Sequence, residues 1–357
     1  QHTTGTNGVM SLSNLGLLTG NIGKESGGIN PLRGQNNVQG ACDMGGLPGD
    51  YPGYQKVHLP AVNEKFQNAW GVELSDKAGL TLSEVFNVAT DGDIGFLYIM
   101  GENPMVSDPD INHVIEALNT IDFVVVQDIF MTETAEFADV ILPAASFAEK
   151  EGTFTNTERR VLRVRKGIEP LPGTKPDWQI LMELSTLLRY DAYYSSPSEI
   201  FDELASVTPS YGGLSHKRLD TEGGIQWPAP TKDHPGTKFL HKEAPARGKG
   251  LFVPIDYVES NETPDDEFPL IMTTGRILYH YHTRTMTGRI DGLNEISGTS
   301  YIEVNPVTAR KLNIEDGEMV RVSSRRGDLE TDVKVTDLID DDIVFMRFHF
   351  VERAASV

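Results

Sequence analysis

From about residue 90 onward the apolar positions fall into short continuous runs separated by helical spacing. "IGFLYIM" (94–100) and "DFVVVQD" (122–128) are runs of this kind, as expected of strands buried on both faces of a sheet. Between them a helix fits 108–119, with Asp108 and Asp110 at its start. A short helix over "TETAEFA" leads into a third run, "DVILPAAS". Strand, helix, strand, helix, strand predicts a parallel sheet with right-handed crossovers. Earlier in the chain a helix is predicted with Thr6 or Asn7 as cap. Val9, Met10, Leu12, Leu15 and Leu18 form its apolar face, and Gly20 ends it. "KPDWQILMELSTLLRY" (175–190) reads as an amphipathic helix begun by Pro176 or Asp177, and a loop-rich stretch over 209–250 reads as a link between domains. From about 265 the period becomes that of strands: "PLIMTTG", "SYIEVN", "GEMVRVSS", "DLETDVKV" and "IVFMRFHF", with "DG" and "RRG" as turns and "PVTARKL" as the one helical segment. That pattern predicts a small β-barrel-like domain.

One stretch has neither period. "NPLRGQNNVQGACDMGG" (30–46) sets a single arginine and a single aspartate among five side-chain amides, a proline, several glycines and the only cysteine. It carries too few charges for a solvated linker, so something else must hold it in shape. The 357 residues suffice for two or three domains. A first residue that is glutamine reads as a processed chain or a piece of a longer one, and no apolar run is long enough to cross a bilayer. One cysteine excludes a disulfide framework, a redox CxxC pair and an all-thiolate metal or iron–sulfur site within the chain, and it fits a reducing compartment. The formal charge of −21 argues against nucleic acid and anionic membranes as partners. It also makes any local cluster of arginine and histidine informative, because an anion would be gathered there against the background.

Ligands of an open parallel sheet bind beyond the carboxyl ends of its strands. Those ends are "MGENP" (100–104), "VQDIFMTET" (126–134) and the loop after 142. Gly101 permits close backbone approach, Glu102 and Asp128 can accept from ribose hydroxyls or a base edge, and Thr132 starts a helix that can face a phosphate. Caps and turns of any α/β protein would use the same residue types. The phosphate-loop signature GxxxxGK[ST] is absent. A second cluster, "TTGRILYHYHTRTMTGR" (273–289), packs Arg276, His280, His282, Arg284 and Arg289 into 14 residues. With Thr273, Thr274 and Gly275 ahead of it, this reads as an anion-binding wall with aromatic faces, or else as a charged surface strand. A His-x-His metal site there lacks a third ligand. In the 30–46 stretch Arg33 is the sole cation, and a planar guanidinium either pairs with a carboxylate ligand or pins the loop to a nearby aspartate. Cys42 has no base or positive field beside it and reads as a small packed residue.

Taken together, "LTGNIGKESGGINPLRGQNNVQGACDMGGLP", "MGENP", "VVVQDIFMTETAEFADVILPAASFAEKEGTFTNTERR" and "TTGRILYHYHTRTMTGR" resemble the alpha subunit of molybdenum- or tungsten-dependent formate dehydrogenases, in the dimethyl sulfoxide reductase superfamily of molybdopterin enzymes. The resemblance runs over nearly the whole chain and covers about the C-terminal half of a family polypeptide. It implies a Rossmann-like α/β fold followed by a C-terminal six-stranded double-psi β-barrel. The implied segments are the end of a molybdopterin-binding α/β domain (1–35), a cofactor-binding α/β domain (36–147), a mixed helical and linker region (148–250) and a dinucleotide-binding barrel (251–357). It also implies a bis(molybdopterin guanine dinucleotide) cofactor with molybdenum or tungsten, and formate and carbon dioxide as substrate and product.

By the same resemblance Arg33 orients the formate carboxylate and Gln35 lines its pocket. Gly101, Glu102, Asn103, Gln127 and Asp128 meet one guanine dinucleotide, with Thr132 and Asp177 behind them. Thr274, Gly275, Arg276 and His280 approach the pterins, and Gln1 falls near the molybdopterin. A [4Fe–4S] cluster and the cysteine or selenocysteine metal ligand belong to a region upstream, so the chain reads as a fragment that would need the missing half or a partner chain, and electron-transfer subunits. No residue of the chain itself is assigned as a metal ligand, and a cytoplasmic location is expected. Two rivals remain: another molybdopterin oxidoreductase, such as the molybdopterin-like subunit of a respiratory NADH dehydrogenase, and a non-catalytic scaffold that keeps the cleft.

Overall fold

A computed structural model describes residues 3–108, 110–190, 192–245 and 247–350. The chain forms two compact units. One takes the residues up to Thr81 together with Ala145–Asn261, and the other takes Leu82–Ala144 with the residues from Glu262 onward.

In the second unit the predicted parallel sheet is present. Its strands Phe96–Met100, Phe123–Asp128 and Val140–Pro143 lie in that order, every pair parallel, with Phe96 opposite Phe123 and Gln127 opposite Leu142. The helices Leu82–Thr90 and Ile111–Thr120 supply Phe86, Ala89, Val114, Ala117 and Leu118 to a core with Ile99, Val124 and Val126. Burying each large side chain of that set stabilises the fold by about 1.5–3 kcal/mol. The helix expected over 108–119 runs from Ile111 to Thr120, preceded by a separate turn. Pro104–Ser107 forms that turn, and Asp110, at φ 61°, caps the helix by accepting from His113 N at 3.2 Å. "TETAEFA" contracts to a 3₁₀ turn, Thr134–Phe137.

All five strands read from residue 265 onward are found in one mixed sheet, in the order Met319–Ser323, Asp328–Val335, Tyr301–Val304, Ile343–Arg347, Ile271–Gly275. Two of its pairings are parallel, 301–304 with 328–335 and 271–275 with 343–347. Among the described residues the sheet has five strands rather than the six that the resemblance implied. Helix Pro306–Leu312 falls where "PVTARKL" predicts it, capped by Asn305. Ile302, Val304, Ala309, Val333 and Val344 make the core.

The first unit departs further from the pattern. The opening helix spans Gly5–Leu18 with Thr4 before it, so neither Thr6 nor Asn7 caps it, and it buries no side chain. Val9, Leu12, Leu15 and Leu18 are all more than half exposed. Within the unit Asn14 exchanges two hydrogen bonds with the backbone of Val253, and Gly16 lies against the side chains of Ile22 and Ile29. Residues 38–43, expected as loop, form the short helix Val38–Asp43. Strands Gly152–Thr155, Arg160–Val164 and Ile225–Gln226 build a three-stranded antiparallel sheet. Helices Asp177–Leu187, Pro197–Val207 and His216–Glu222 belong to the same unit, so 209–250 is partly regular rather than pure linker. Its core gathers Val161, Phe201, Tyr211, Leu214, Leu219, Ile225 and Ala229.

Candidate functional site

Arg33 lies just ahead of the helix Val38–Asp43, and that helix is what fixes it. Asn37 ends the loop; its Oδ1 accepts from Thr155 N at 2.9 Å, tying the helix start to a strand. The approach is close enough that a Cβ on Gly40 would meet Asn37 Oδ1 at 2.1 Å and Thr155 N at 3.2 Å. One turn apart on the helix, Gln39 and Asp43 face the same way. Gln39 Nε2 donates to Asp43 Oδ1 at 2.8 Å and to the Tyr54 hydroxyl at 2.7 Å, while Gln39 Oε1 accepts from Arg33 Nη2 at 3.3 Å.

Asp43 is wholly buried and saturated with donors. Tyr54 and Gln39 serve Oδ1, and Tyr211 at 2.5 Å and Trp227 Nε1 at 2.7 Å serve Oδ2. Burial pushes its carboxyl above the ordinary range, against the pull of those four hydrogen bonds. Burial together with the Asp43 charge likewise drives the Tyr54 and Tyr211 phenols upward, so both stay protonated and donate. Arg33 itself is half-buried, and its Nε is enclosed with no hydrogen-bond partner. An enclosed N–H without a partner costs about 1–3 kcal/mol, so the guanidinium is held here at some cost to stability. Gln35 is half-buried two residues along.

Also in this unit is a cavity of about 540 Å³ with mostly apolar walls, among them Phe154, Trp178, Phe201 and Trp70. Asp177, the first residue of helix Asp177–Leu187, lies on its lining and is ion-paired to Lys150. That volume is within the ordinary range of small-molecule sites, which pair apolar walls with a few polar groups.

The second unit holds the remaining expected residues apart from Gln1, which lies outside the described residues. Gly101 sits at φ 64° at the end of its strand, with open space where a Cβ would be. Glu102 accepts from Ser107 Oγ at 2.7 Å. Asn103 is buried and spends its side chain internally, accepting from Thr134 and donating to Glu133 Oε2 at 2.8 Å and toward Thr285. Gln127 is fully buried and accepts from the Tyr98 hydroxyl. Asp128 Oδ1 accepts from the backbone N–H of Ile129 and Phe130, and burial pushes its carboxyl upward. Thr132 is buried and caps the 3₁₀ turn by accepting from Ala135 N.

Thr274 and Gly275 end the strand Ile271–Gly275. Beyond Gly275 the chain does not continue as the strand with alternating histidines that one reading required. It turns irregularly, with His282 and Arg284 at positive φ. Arg276 is exposed and lies over the Phe348 ring. His280 is buried, with Nε2 2.7 Å from the Ser297 carbonyl and Nδ1 3.1 Å from Thr287 Oγ1. The carbonyl only accepts, so Nε2 carries the proton and Nδ1 accepts. Its role in this unit is therefore to pin the turn. Among the described residues no three His, Cys, Asp or Glu side chains converge as metal ligands.

Sequence reasoning missed two features. The first is the Gln39–Asp43 link, for which the spacing of four residues was the available signal. The second is His349, read as the end of a strand. Its Nε2 accepts from Ile277 N at 2.9 Å and its Nδ1 donates to His282 O, so it closes the same turn. With Glu133, Arg284 and Arg289 it lines a polar cavity of about 190 Å³.

Comparison with known proteins gives the family of the chain. The Molybdopterin oxidoreductase family model matches residues 1–187, and the Molydopterin dinucleotide binding domain matches 270–357. The chain is 50% identical over 361 residues to the F420-dependent formate dehydrogenase subunit alpha of Methanocaldococcus jannaschii, covering 100% of this chain and 53% of that protein. It is 42% identical over 356 residues to formate dehydrogenase H of Escherichia coli, covering 98% of this chain and 50% of that one. The chain thus spans about half the length of the curated relatives it matches. Among solved structures it resembles acetylene hydratase from Pelobacter acetylenicus, with a TM-score of 0.60 and 18% identity over 81% of this chain and 42% of that one, a likeness of fold alone. With a family model matched across more than half of its residues, the chain belongs to the molybdopterin oxidoreductase family.

Proposed function

We propose that this chain is part of a formate dehydrogenase catalytic subunit in which Arg33 binds the carboxylate of formate. The observation that carries the reading is the half-buried guanidinium of Arg33, held through Nη2 by the amide oxygen of Gln39. The free N–H groups of a guanidinium held in this way present the fork that pairs with a carboxylate. The relatives named formate dehydrogenase, at 50% and 42% identity, support the same substrate.

The cofactor of this reading is bis(molybdopterin guanine dinucleotide) with molybdenum or tungsten. The residues present fit such a group. Gly101 leaves open space at its strand end, Asp128 offers a half-buried carboxylate, and an aromatic-walled cavity adjoins Asp177. Gly101, Glu102, Gln127 and Asp128 would hold one dinucleotide, with Asn103 and Thr132 shaping the loops and Asp177 serving the cavity. Thr274, Gly275 and Arg276, on the turn pinned by His280, would meet the pterins, as would Gln1. When bound, the group supplies the two-electron redox centre that side chains cannot.

The chain's own share is binding and orientation. Oxidation takes two electrons and one proton from formate and leaves neutral carbon dioxide, so the attraction to Arg33 that holds the substrate disappears in the product. Gln35 lines the same pocket. The reading includes the segment boundaries given above and a double-psi closure of the C-terminal sheet, which its two parallel pairings support. It also includes a [4Fe–4S] cluster and electron-transfer subunits outside this chain, and a cytoplasmic setting. No helix among the described residues is long and apolar enough to cross a membrane.

The test is Arg33→Ala in the intact enzyme. Formate-dependent dye reduction should fall by about a hundredfold or more, as for loss of a positioned charge at the reacting group, while molybdenum or tungsten and dinucleotide content stay normal. Unchanged turnover would reject the role, and an enzyme without extractable dinucleotide would reject the cofactor.

A further inference from the structure

We propose that Asp43 is a positioning residue that acts on substrate binding through Gln39, by fixing which end of the Gln39 amide faces Arg33. The inference rests on the reading of Arg33 as the formate-binding group.

The geometry leaves the amide one orientation. On one side stands Arg33 Nη2, which can only donate. On the other is a carboxylate oxygen already accepting from Tyr54, so it requires the NH2 end of Gln39. Both N–H bonds of that NH2 are used, one on Asp43 Oδ1 and one on the Tyr54 hydroxyl. Gln39 Oε1 therefore faces the guanidinium and anchors it through Nη2, which fixes how the rest of the fork is presented to the ligand.

An amide at position 43 would undo this. Its own NH2 cannot face Trp227 Nε1, which only donates, so it must turn toward Gln39. Gln39 would then flip to accept, bringing its NH2 against Arg33 Nη2, donor against donor. The anchor becomes a repulsion with almost no change in volume.

The experiment uses the holoenzyme labelled with 15N-arginine, in which solvent exchange of the Arg33 Nε–H reports its anchoring without turnover. The signal is assigned by its loss in Arg33→Lys. In Asp43→Asn we expect that exchange to quicken and the KM for formate to rise, each by about tenfold, with kcat changed much less. Gln39→Met removes the anchor directly and should give the same pair of effects, which keeps the test decisive if Asp43→Asn does not fold. Leu219→Val, a core change in the same unit, should lower thermal stability and leave both readouts alone. The inference is overturned if Asp43→Asn and Gln39→Met leave the Arg33 exchange unchanged. It is equally overturned if Leu219→Val moves exchange and KM as far as they do, since the effect would then be mere loss of stability. Should the unaltered holoenzyme not oxidise formate, the functional reading falls, while the exchange comparison still decides the positioning role.

Discussion

Gly40→Ala sets two forces of opposite sign against each other. Gly40 lies within the helix Val38–Asp43, where alanine is favoured over glycine by about 1 kcal/mol. On propensity alone the change should stabilise the protein. The packing says the reverse. A Cβ there would come within 2.1 Å of Asn37 Oδ1 and 3.2 Å of Thr155 N. Asn37 can swing away only by giving up the 2.9 Å bond that Thr155 N–H donates to it, and Thr155 is buried. Leaving that N–H without a partner costs about 1–3 kcal/mol. The residual crowding against the Thr155 backbone adds about another 1 kcal/mol, at the low end for overpacking. The sum is a net loss of about 2 kcal/mol after the helix gain is subtracted, which corresponds to a fall of roughly 4–8 °C in Tm for a unit of this size. Calorimetry of the purified protein reads it directly. Because the helix also bears Gln39 and Asp43, the KM for formate should rise in parallel. A Tm equal to or above that of the unaltered protein would refute the reasoning, for it would mean that the helix is free to lift off the strand at no cost.

Three further outcomes are expected. Burial holds the imidazoles of His282 and His349 below their ordinary 6.5, and His216 is lowered by burial and by the neighbouring Arg163. The fold thus favours the neutral rings, so their contribution to stability is complete above 6.5 and is lost as the pH falls below it, against the opposite contribution of the raised Asp43 and Asp128 carboxyls. NMR titration showing any of the three rings half-protonated at or above pH 6.5 would contradict this. Arg159 donates to the backbone carbonyls of Trp227, Thr237 and Lys238, so Arg159→Ala should free the 227–238 segment, and hydrogen exchange there should quicken by at least about tenfold while the strand 160–164 stays protected. Gly101 has space for a side chain but sits at φ 64°, so Gly101→Ala should cost about 1 kcal/mol and Gly101→Asn distinctly less in thermal melts, and equal losses would show that the backbone is not held left-handed.

The elements legible in the sequence are those whose signal is local. The runs at 94–100, 122–128 and 139–146 were legible as strands, and parallel pairing followed from the helical spacing between them. Only the central strand is largely buried; Phe96 and Met100 on one outer strand and Val140 and Ile141 on the other stay exposed, so burial on both faces is not found. The five C-terminal strands were equally plain, and most of them alternate between a core face and an outer one, as in Tyr301–Val304. The opening helix was read correctly as a helix with an apolar face, though not with the right cap. A period of 3.6 reports that one face is apolar and says nothing of what lies against it, and here that face is exposed. The histidines at 280 and 282 misled in another way: their alternation suggested a strand, yet His280 and His349 spend their ring nitrogens on closing a turn.

The stretch 30–46 shows why a site can be half visible. Arg33 could be picked out because it is the only cation there, and a guanidinium beside a proline and a glycine implies a restrained charge. What restrains it was hidden, because the partners of Asp43 lie far along the chain. Tyr211 is 168 residues away and Trp227 is 184. The hub also explains the density of amides. Asp43 can remain ionised in a buried place only if donors surround it, and of the four donors Gln39 is the one whose other end accepts from Arg33. A tryptophan in its place would satisfy the carboxylate and leave the guanidinium unanchored, because an indole only donates. The amide can do both at once, since its donor and acceptor sit on separate atoms that point to the buried anion and to the cation.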